Sequence, residues 1–234
     1  MAHGGVVAFR AEETGPMGSK RLSRLLEAFV ELHVEQGPVL ERLGEPLGVV
    51  TAIAGQARGP VVFEGRADHA GTTPMSARED ALVEAARFIL HVREYVREPA
   101  VATVGAIEVE PNAANVVPAR VTVSVEARSP DAAGLDELVR VIGFEPSSRL
   151  EPVAMSGRPF EVLCELLPEA PRLVSGAGHD AMVLAGAGVP TAMLFVRSLN
   201  GGVSHSTDES SAAEDIELAV EVLAAALARL TAGD

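Results

Sequence analysis

Residues 56–155 order their secondary-structure signals in a way that few folds can satisfy. Val61, Phe63 and Gly65 alternate against Val62, Glu64 and Arg66, and Val121, Val123 and Val125 alternate against Thr122, Ser124 and Glu126. Such alternation places one set of side chains on each face of a pleated strand. The run Val61–Arg66 is followed by a helix over Ser76–Val96, then by strands at Val101–Val109 and Val116–Ala127. A short helix at Asp131–Ile142 and a strand near Ser148–Ala154 complete the order β-α-β-β-α-β, the split β-α-β arrangement. Ser76 and Glu79 have the spacing of a capping box at the start of the first helix.

A different α/β pattern flanks this unit. Val6–Phe9 reads as a buried strand, and Leu22–Val30 as a helix with Leu22, Leu25, Leu26 and Phe29 on one face. Glu31–Glu35 and Val49–Ile53 read as strands. Beyond Ser156, helices are predicted at Pro159–Leu167 and Gly178–Gly186, and a strand at Thr191–Val196. A polar loop, Ser198–Ser211, leads into a helix over Ala213–Leu230 with Ile216, Val220, Leu223 and Leu227 on one face. The expected architecture is therefore α/β and discontinuous: residues 1–55 and 156–234 form one domain, interrupted by 56–155. A chain of 234 residues that is 47% hydrophobic can supply cores for both.

No apolar run approaches the ~20 residues that span a bilayer. The formal charge of −14 argues against a nucleic-acid partner, which needs a basic surface, and fits poorly with an anionic membrane face. Cys164, the single cysteine, sits in the helical pattern of Phe160, Leu163, Leu166 and Leu167 and reads as a buried structural thiol. The first residues lack a basic start and long apolar stretch, so a cytoplasmic protein is expected.

Taken singly, the polar residues have ordinary explanations. Glu12 and Glu13, at the end of an apolar strand, read as a solvated acid pair, since perturbed carboxylates are a minority. His33 shares a strand face with Glu31 and Glu35, where histidines are more often hydrogen-bonded than ligating. His205 is a loop histidine, Arg128 a strand charge and Asn115 a turn residue after Pro111. His179 opens a helix after glycines, where capping the helix and touching an anion or carbonyl are about equally good readings. The loop Ala67–Met75 (ADHAGTTPM), with His69, is an exposed, shaped connection of the kind that carries chemistry on a fixed scaffold. His3 and His91 read as structural or solvated.

Taken together, seven strings carry a resemblance. They are AFRAEETG (Ala8–Gly15), ELHVEQGP (Glu31–Pro38), ADHAGTTPM, PNAANVVPA (Pro111–Ala119), VEARS (Val125–Ser129), SGAGHDAM (Ser175–Met182) and SLNGGVSHSTDE (Ser198–Glu209). In this order they resemble the hydantoinase/carbamoylase family of M20-type metallo-amidases, which includes N-carbamoyl-L-amino-acid hydrolases and allantoate amidohydrolases. The resemblance implies an M20-type, zinc-peptidase-like catalytic domain carrying an inserted ferredoxin-like lid that pairs with its copy in a homodimer. It implies hydrolysis of a linear amide by water activated on a divalent metal (Zn, Mn, Co or Ni). Glu12 matches the general base, and Glu13, His33 and His205 match metal ligands, a reasonable nitrogen and oxygen donor set. His69 matches a residue that steadies the oxyanion in the other subunit, Asn115 and Arg128 match the carboxylate clamp, and Gln36 and His179 match substrate contacts. A small ureido or amide substrate bearing a carboxylate follows, with no nucleic-acid or membrane partner.

The chain departs from that family in a shorter connection between Ser19-Lys20 and Glu31, in a trimmed second helix of the inserted unit and, with most consequence, upstream. A His-x-Asp motif and a bridging aspartate precede the AFRAEE string in the family and are absent here, so a truncated catalytic domain is expected and a full two-metal site is in doubt. An inactive remnant serving as a dimerisation or ligand-binding module is the alternative from another class. An M20 aminoacylase or dipeptidase is a weaker one, because those relatives usually carry an acid where His33 stands.

Overall fold

The computed structural model describes residues 26–232. The predicted strand Val6–Phe9, the first four residues of the predicted helix Leu22–Val30, and the Glu12–Glu13 pair lie outside the described residues. The chain divides into two compact units, one formed by the segments up to Ala54 and from Val153 onward, the other by Gly55–Pro152.

The discontinuous unit is built on a mixed five-stranded sheet. In chain order it contains β1 (Phe29–Val34), α1 (Val39–Leu43) and β2 (Leu47–Ile53). β1 begins where the sequence pattern predicted the end of a helix, so Phe29 and Val30 are strand residues, paired in parallel with Thr191 and Ala192. After the inserted unit come β7 (Val153–Ala154), α4 (Arg158–Leu166), β8 (Arg172–Ser175), α5 (Asp180–Gly186), β9 (Thr191–Val196) and α6 (Ala213–Thr231). The strand order is β1-β9-β2-β7, with β8 also paired to β2. β9, TAMLFV, is buried along its whole length. Its residues alternate between two cores: Ala192, Leu194 and Val196 pack with residues of α4 and α6, Met193 and Phe195 with residues of α1 and α5. A strand covered on both faces has no polar side to present, which explains the unbroken apolar run. Cys164 is partly buried in the first of these cores.

The long C-terminal helix turns a different face inward from the one its large apolar residues suggest. Asp215, Ala219 and Ala226 are buried, while Ile216 and Val220 are 44% and 54% exposed. Small alanines let the helix approach the sheet closely, and Asp215 is drawn inward by Arg197, whose Nε and Nη2 donate to it at 2.8 and 3.1 Å.

The inserted unit contains β3 (Gly55–Glu64), a 3₁₀ turn (Met75–Ala77), α2 (Ala81–Tyr95), β4 (Val101–Glu110), β5 (Arg120–Ser129), α3 (Ala132–Ile142) and β6 (Ser148–Leu150). Its sheet is antiparallel in the order β4-β5-β3-β6. Counted within the unit, that is fourth strand beside first, first beside third, third beside second, as the split β-α-β arrangement requires. Val121, Val123, Val125 and Ala127 of β5 face a core shared with Ala81, Ala85, Val92, Leu135, Leu138 and Ile142 of the helices. The capping box fails: Asp80, not Ser76, caps α2, accepting from the N–H groups of Leu82 and Val83 at 3.0 and 3.2 Å. Ser76 is spent in the 3₁₀ turn. Among the described residues no helix is long and apolar enough to cross a membrane.

Candidate functional site

β1 presents Glu31 and His33 on one face, and the loop from β8 into α5 brings His179 against them. One ligand atom of each lies within 4.8 Å of the others, close enough for the three to hold one metal ion. The two imidazoles meet edge to face, with centroids 4.6 Å apart. His33 Nδ1 sits 2.8 Å from the Val34 carbonyl. Since a carbonyl only accepts, Nδ1 carries the proton and Nε2 keeps its lone pair. His179 Nε2 lies 2.7 Å from Ser175 Oγ, and its Nδ1 is 3.7 Å from Glu31 Oε1. The other Glu31 oxygen accepts from the Ala181 N–H at 2.8 Å.

Burial dominates the charge states here. It lowers the His179 pKa from 6.5 to about 4, helped by repulsion from His33. It also raises Glu31, against the lowering influence of the Ala181 hydrogen bond and of His33. A carboxylate and two imidazoles are a donor set that suits Zn²⁺ and other borderline divalent ions, which bind such rings in their neutral form. The divalent metal that the resemblance implies therefore finds fitting donors in this unit.

Past β1, the chain turns sharply and is strapped to the loop that carries His205. Gln36, at φ 56°, donates its N–H to Ser198 Oγ at 3.0 Å and its side-chain amide to Ser204 Oγ at 2.9 Å. Ser204 passes its own hydrogen to Glu209, which also accepts the His205 N–H at 2.9 Å. These bonds hold the Glu209 carboxyl below its ordinary value, the Ser204 hydroxyl first and the His205 N–H second. The approach is so close that a Cβ on Gly202, itself at φ +74°, would lie 2.1 Å from the Gly37 carbonyl carbon. Glycine is required there twice over, for space and for conformation. The structure thus joins Gln36 to the His205 segment and, separately, His33 to His179 and Glu31. His205 is not a member of the latter group.

In the inserted unit, His69 and Asn115 lie on two paired loops. His69 bridges Val116, and the Ala70 N–H donates to the Asn115 carbonyl at 2.9 Å. His69 Nδ1 accepts from the Gly71 N–H at 3.0 Å, so the neutral ring presents an Nε2–H donor from an exposed position. Arg128 lies on β5 on the open face of the sheet, and its Nε donates to Glu126 at 2.6 Å. Burial alone would raise Glu126, but hydrogen bonds from Arg128, Arg58 and Gln56 bring it below its ordinary value.

Glu12 and Glu13 lie outside the described residues, so the proposed base and one proposed ligand have no place in this geometry. The capping alternative for His179 fails, because it occupies the N-cap position without a side-chain cap bond. Glu31 is the residue sequence reasoning missed. Its signal was present, an acid two residues before His33 on the same strand face, but the partner completing the set lies far along the chain at 179.

A family model described as Peptidase family M20/M25/M40 matches residues 5–229, and the chain belongs to that family. Within it, the similarity is to ureido-acid hydrolases. The chain is 39% identical over 227 residues to the allantoate amidohydrolase of Bacillus subtilis (strain 168), covering 88% of this chain and 55% of that protein. It is 37% identical over 230 residues to an N-carbamoyl-L-amino acid amidohydrolase of Geobacillus stearothermophilus, covering 89% and 56%. A solved hydantoinase/carbamoylase family amidase from Burkholderia multivorans superposes with a TM-score of 0.78 at 36% identity, covering 86% of this chain and 54% of that one. The chain spans about half the length of the curated relatives it matches.

Proposed function

We propose that this chain is a metal-dependent amidohydrolase that cleaves a linear C–N bond outside peptide linkages, in an N-carbamoyl-L-amino acid or in allantoate. The observation that carries the reading is 39% identity to an allantoate amidohydrolase across 88% of the chain. Glu13, His33 and His205 hold a divalent cation, which when bound polarises and acidifies a water molecule. Glu12 takes the proton from the attacking water and returns it to the departing nitrogen. Asn115 and Arg128 orient the substrate carboxylate, the guanidinium offering two parallel donors. Gln36 and His179 contact the rest of the substrate. His69 serves a second copy of the chain, its Nε2–H meeting the negative charge that develops on the carbonyl oxygen. The free Nε2 of His33 and the outward Nε2–H of His69 support these two assignments.

The homodimer belongs to the same proposal, with the inserted unit acting as lid and dimerisation domain of a cytoplasmic M20 enzyme. β4 is a ten-residue edge strand with Val101 and Ile107 exposed, the kind of edge that pairs with another chain unless it is covered. Ammonia release from allantoate and from N-carbamoyl amino acids, measured with Mn²⁺, Co²⁺, Ni²⁺ or Zn²⁺ added, tests the activity. Turnover that disappears in Arg128→Ala is expected; no turnover with any of the metals removes the enzymatic reading for this chain. Light scattering tests the dimer, which Ile107→Lys should dissociate.

A further inference from the structure

We propose that Glu126 is a positioning residue: it holds one edge of the Arg128 guanidinium and so directs another edge at the substrate carboxylate. This role rests on the function proposed above, in which Arg128 clamps that carboxylate, and adds how the clamp is aimed.

One strand pair supplies the parts. β5 lies antiparallel to β3, with Arg128 directly opposite Gln56 and Glu126 directly opposite Arg58. Residues two apart on a strand share a face. These four side chains therefore stand together on the open side of the sheet, away from the core that Val125 and Ala127 enter. Arg128 Nε and Nη2 reach the same Glu126 oxygen, Oε1, at 2.6 and 2.5 Å. Arg58 Nε donates to the other oxygen, Oε2, and the Gln56 side chain adds a further hydrogen bond to this carboxylate. Glu126 is thereby gripped at both oxygens, and it keeps its charge.

A guanidinium can meet a carboxylate with two parallel donors at its side, through Nε and Nη2, or at its end, through Nη1 and Nη2. Glu126 takes the side. A substrate carboxylate is then met by the end, whose direction the strand pair sets. Charge agrees with this division. Two guanidiniums and one carboxylate leave a net positive charge on Arg58, Glu126 and Arg128 together, so the cluster still attracts an anion. Without Arg58, Glu126 would cancel the attraction that it aims. An arginine held in advance also loses less side-chain freedom when it grips a ligand. Ion pairs as accessible as these add little to stability. What they fix is direction.

Steady-state hydrolysis by the full chain with Mn²⁺ tests this, using N-carbamoyl-L-alanine and N-carbamoyl-L-alaninamide, in which a carboxamide replaces the carboxylate. Glu126→Ala should raise KM for the acid by about tenfold or more and leave kcat within about threefold, as expected when ground-state binding is lost. KM for the amide should move by less than about twofold, since it has no carboxylate to grip. Glu126→Gln keeps one acceptor for Arg128 but turns its amide nitrogen towards Arg58, so it should recover part of the loss. An unchanged or lower KM for the acid in Glu126→Ala overturns the proposal, because Glu126 would then do nothing for the substrate or merely repel it. An equal rise for acid and amide overturns it too, by making the residue structural. Arg128→Ala with an unchanged KM for the acid sinks the clamp itself; a loss in Arg128→Ala without one in Glu126→Ala sinks the positioning role alone. The Arg128 Nε–H resonance requires no turnover. It should exchange slowly with solvent in the unsubstituted chain and faster in Glu126→Ala, and equal exchange in the two refutes the hold on Arg128.

Discussion

In the inserted unit, Arg58, Arg120, Arg140 and Arg149 pair with carboxylates in solvent; in the flanking unit, Glu31, His179 and Asp215 are withdrawn from it. The pairings of the first kind are numerous and lie on the surface, across one strand pair, within one helix turn or, for Arg149 and Asp136, between β6 and α3. Those of the second kind are few, and they join separate elements, Glu31 of β1 to the start of α5 and Asp215 of α6 to Arg197 just past β9. Charges in water cost little to hold and add little, whereas a charge taken out of water must be satisfied by a specific partner. The contrast locates chemistry: ionisable groups that a fold has gone to the expense of burying are the ones whose protonation and partners it controls.

The widest expected difference comes from Asp215. It is 3% exposed and receives two hydrogen bonds from Arg197. Asp215→Ala leaves Arg197 without its partner at the junction of β9 and α6 and should cost about 3–5 kcal/mol in a urea melt. The double substitution Asp215→Ala with Arg197→Met should recover part of this loss, because it removes both charges. A cost below about 1 kcal/mol for the single substitution would place this pair with the solvated ones and break the contrast.

A smaller effect is expected of His179, and it has a direction in pH. Its folded value, about 4, lies below the ordinary 6.5 that it regains on unfolding, so protonation favours the unfolded chain. Its contribution is fully present above pH 6.5, declines as pH falls from 6.5 towards 4, and changes no further below. The difference across that window is up to about 3 kcal/mol in metal-free protein. Melts of the unsubstituted chain and of His179→Gln between pH 4 and 7 isolate it. Parallel pH profiles would show that His179 titrates as a solvated histidine does.

How far the sequence disclosed all this follows the same division. β5 was legible because Val121, Val123, Val125 and Ala127 alternate with polar residues, and one face of its sheet is open. The start of α2 was not, because Ser76 and Asp80 both offer a capping oxygen and only the tertiary fold chooses between them. The inward face of α6 was misread by about one position. Large apolar residues suggested Ile216 and Val220, whereas close packing selected Ala219 and Ala226, and Arg197 selected Asp215. The seven strings pointed to His33, His69, Asn115, Arg128 and His205 as site residues, but a string cannot say which of them meet. Glu31 and His179 come together through strand pairing, since β1 joins β9 and β9 joins β2, which in turn carries β8 and the loop to His179.

The smallest expected effect sharpens the comparison from the opposite side. Arg149 on β6 donates to both Glu151 and Asp136, and the Glu151 hydrogen bond above all holds its pKa above the ordinary arginine value. Read as a contact map, it is better connected than Asp215. Yet Glu151 and Asp136 are 61% and 66% exposed, so water replaces either partner at little cost. Arg149→Ala should therefore lower stability by no more than about 1 kcal/mol, and that difference should shrink as salt is raised towards 1 M, where the Debye length falls to about 3 Å. The Asp215 effect should persist under the same salt, because its pair is shielded from the ions that screen Arg149. Equal salt sensitivity of the two would mean that burial does not separate them, and the number of ion pairs would then be the better guide to where this chain stores its stability.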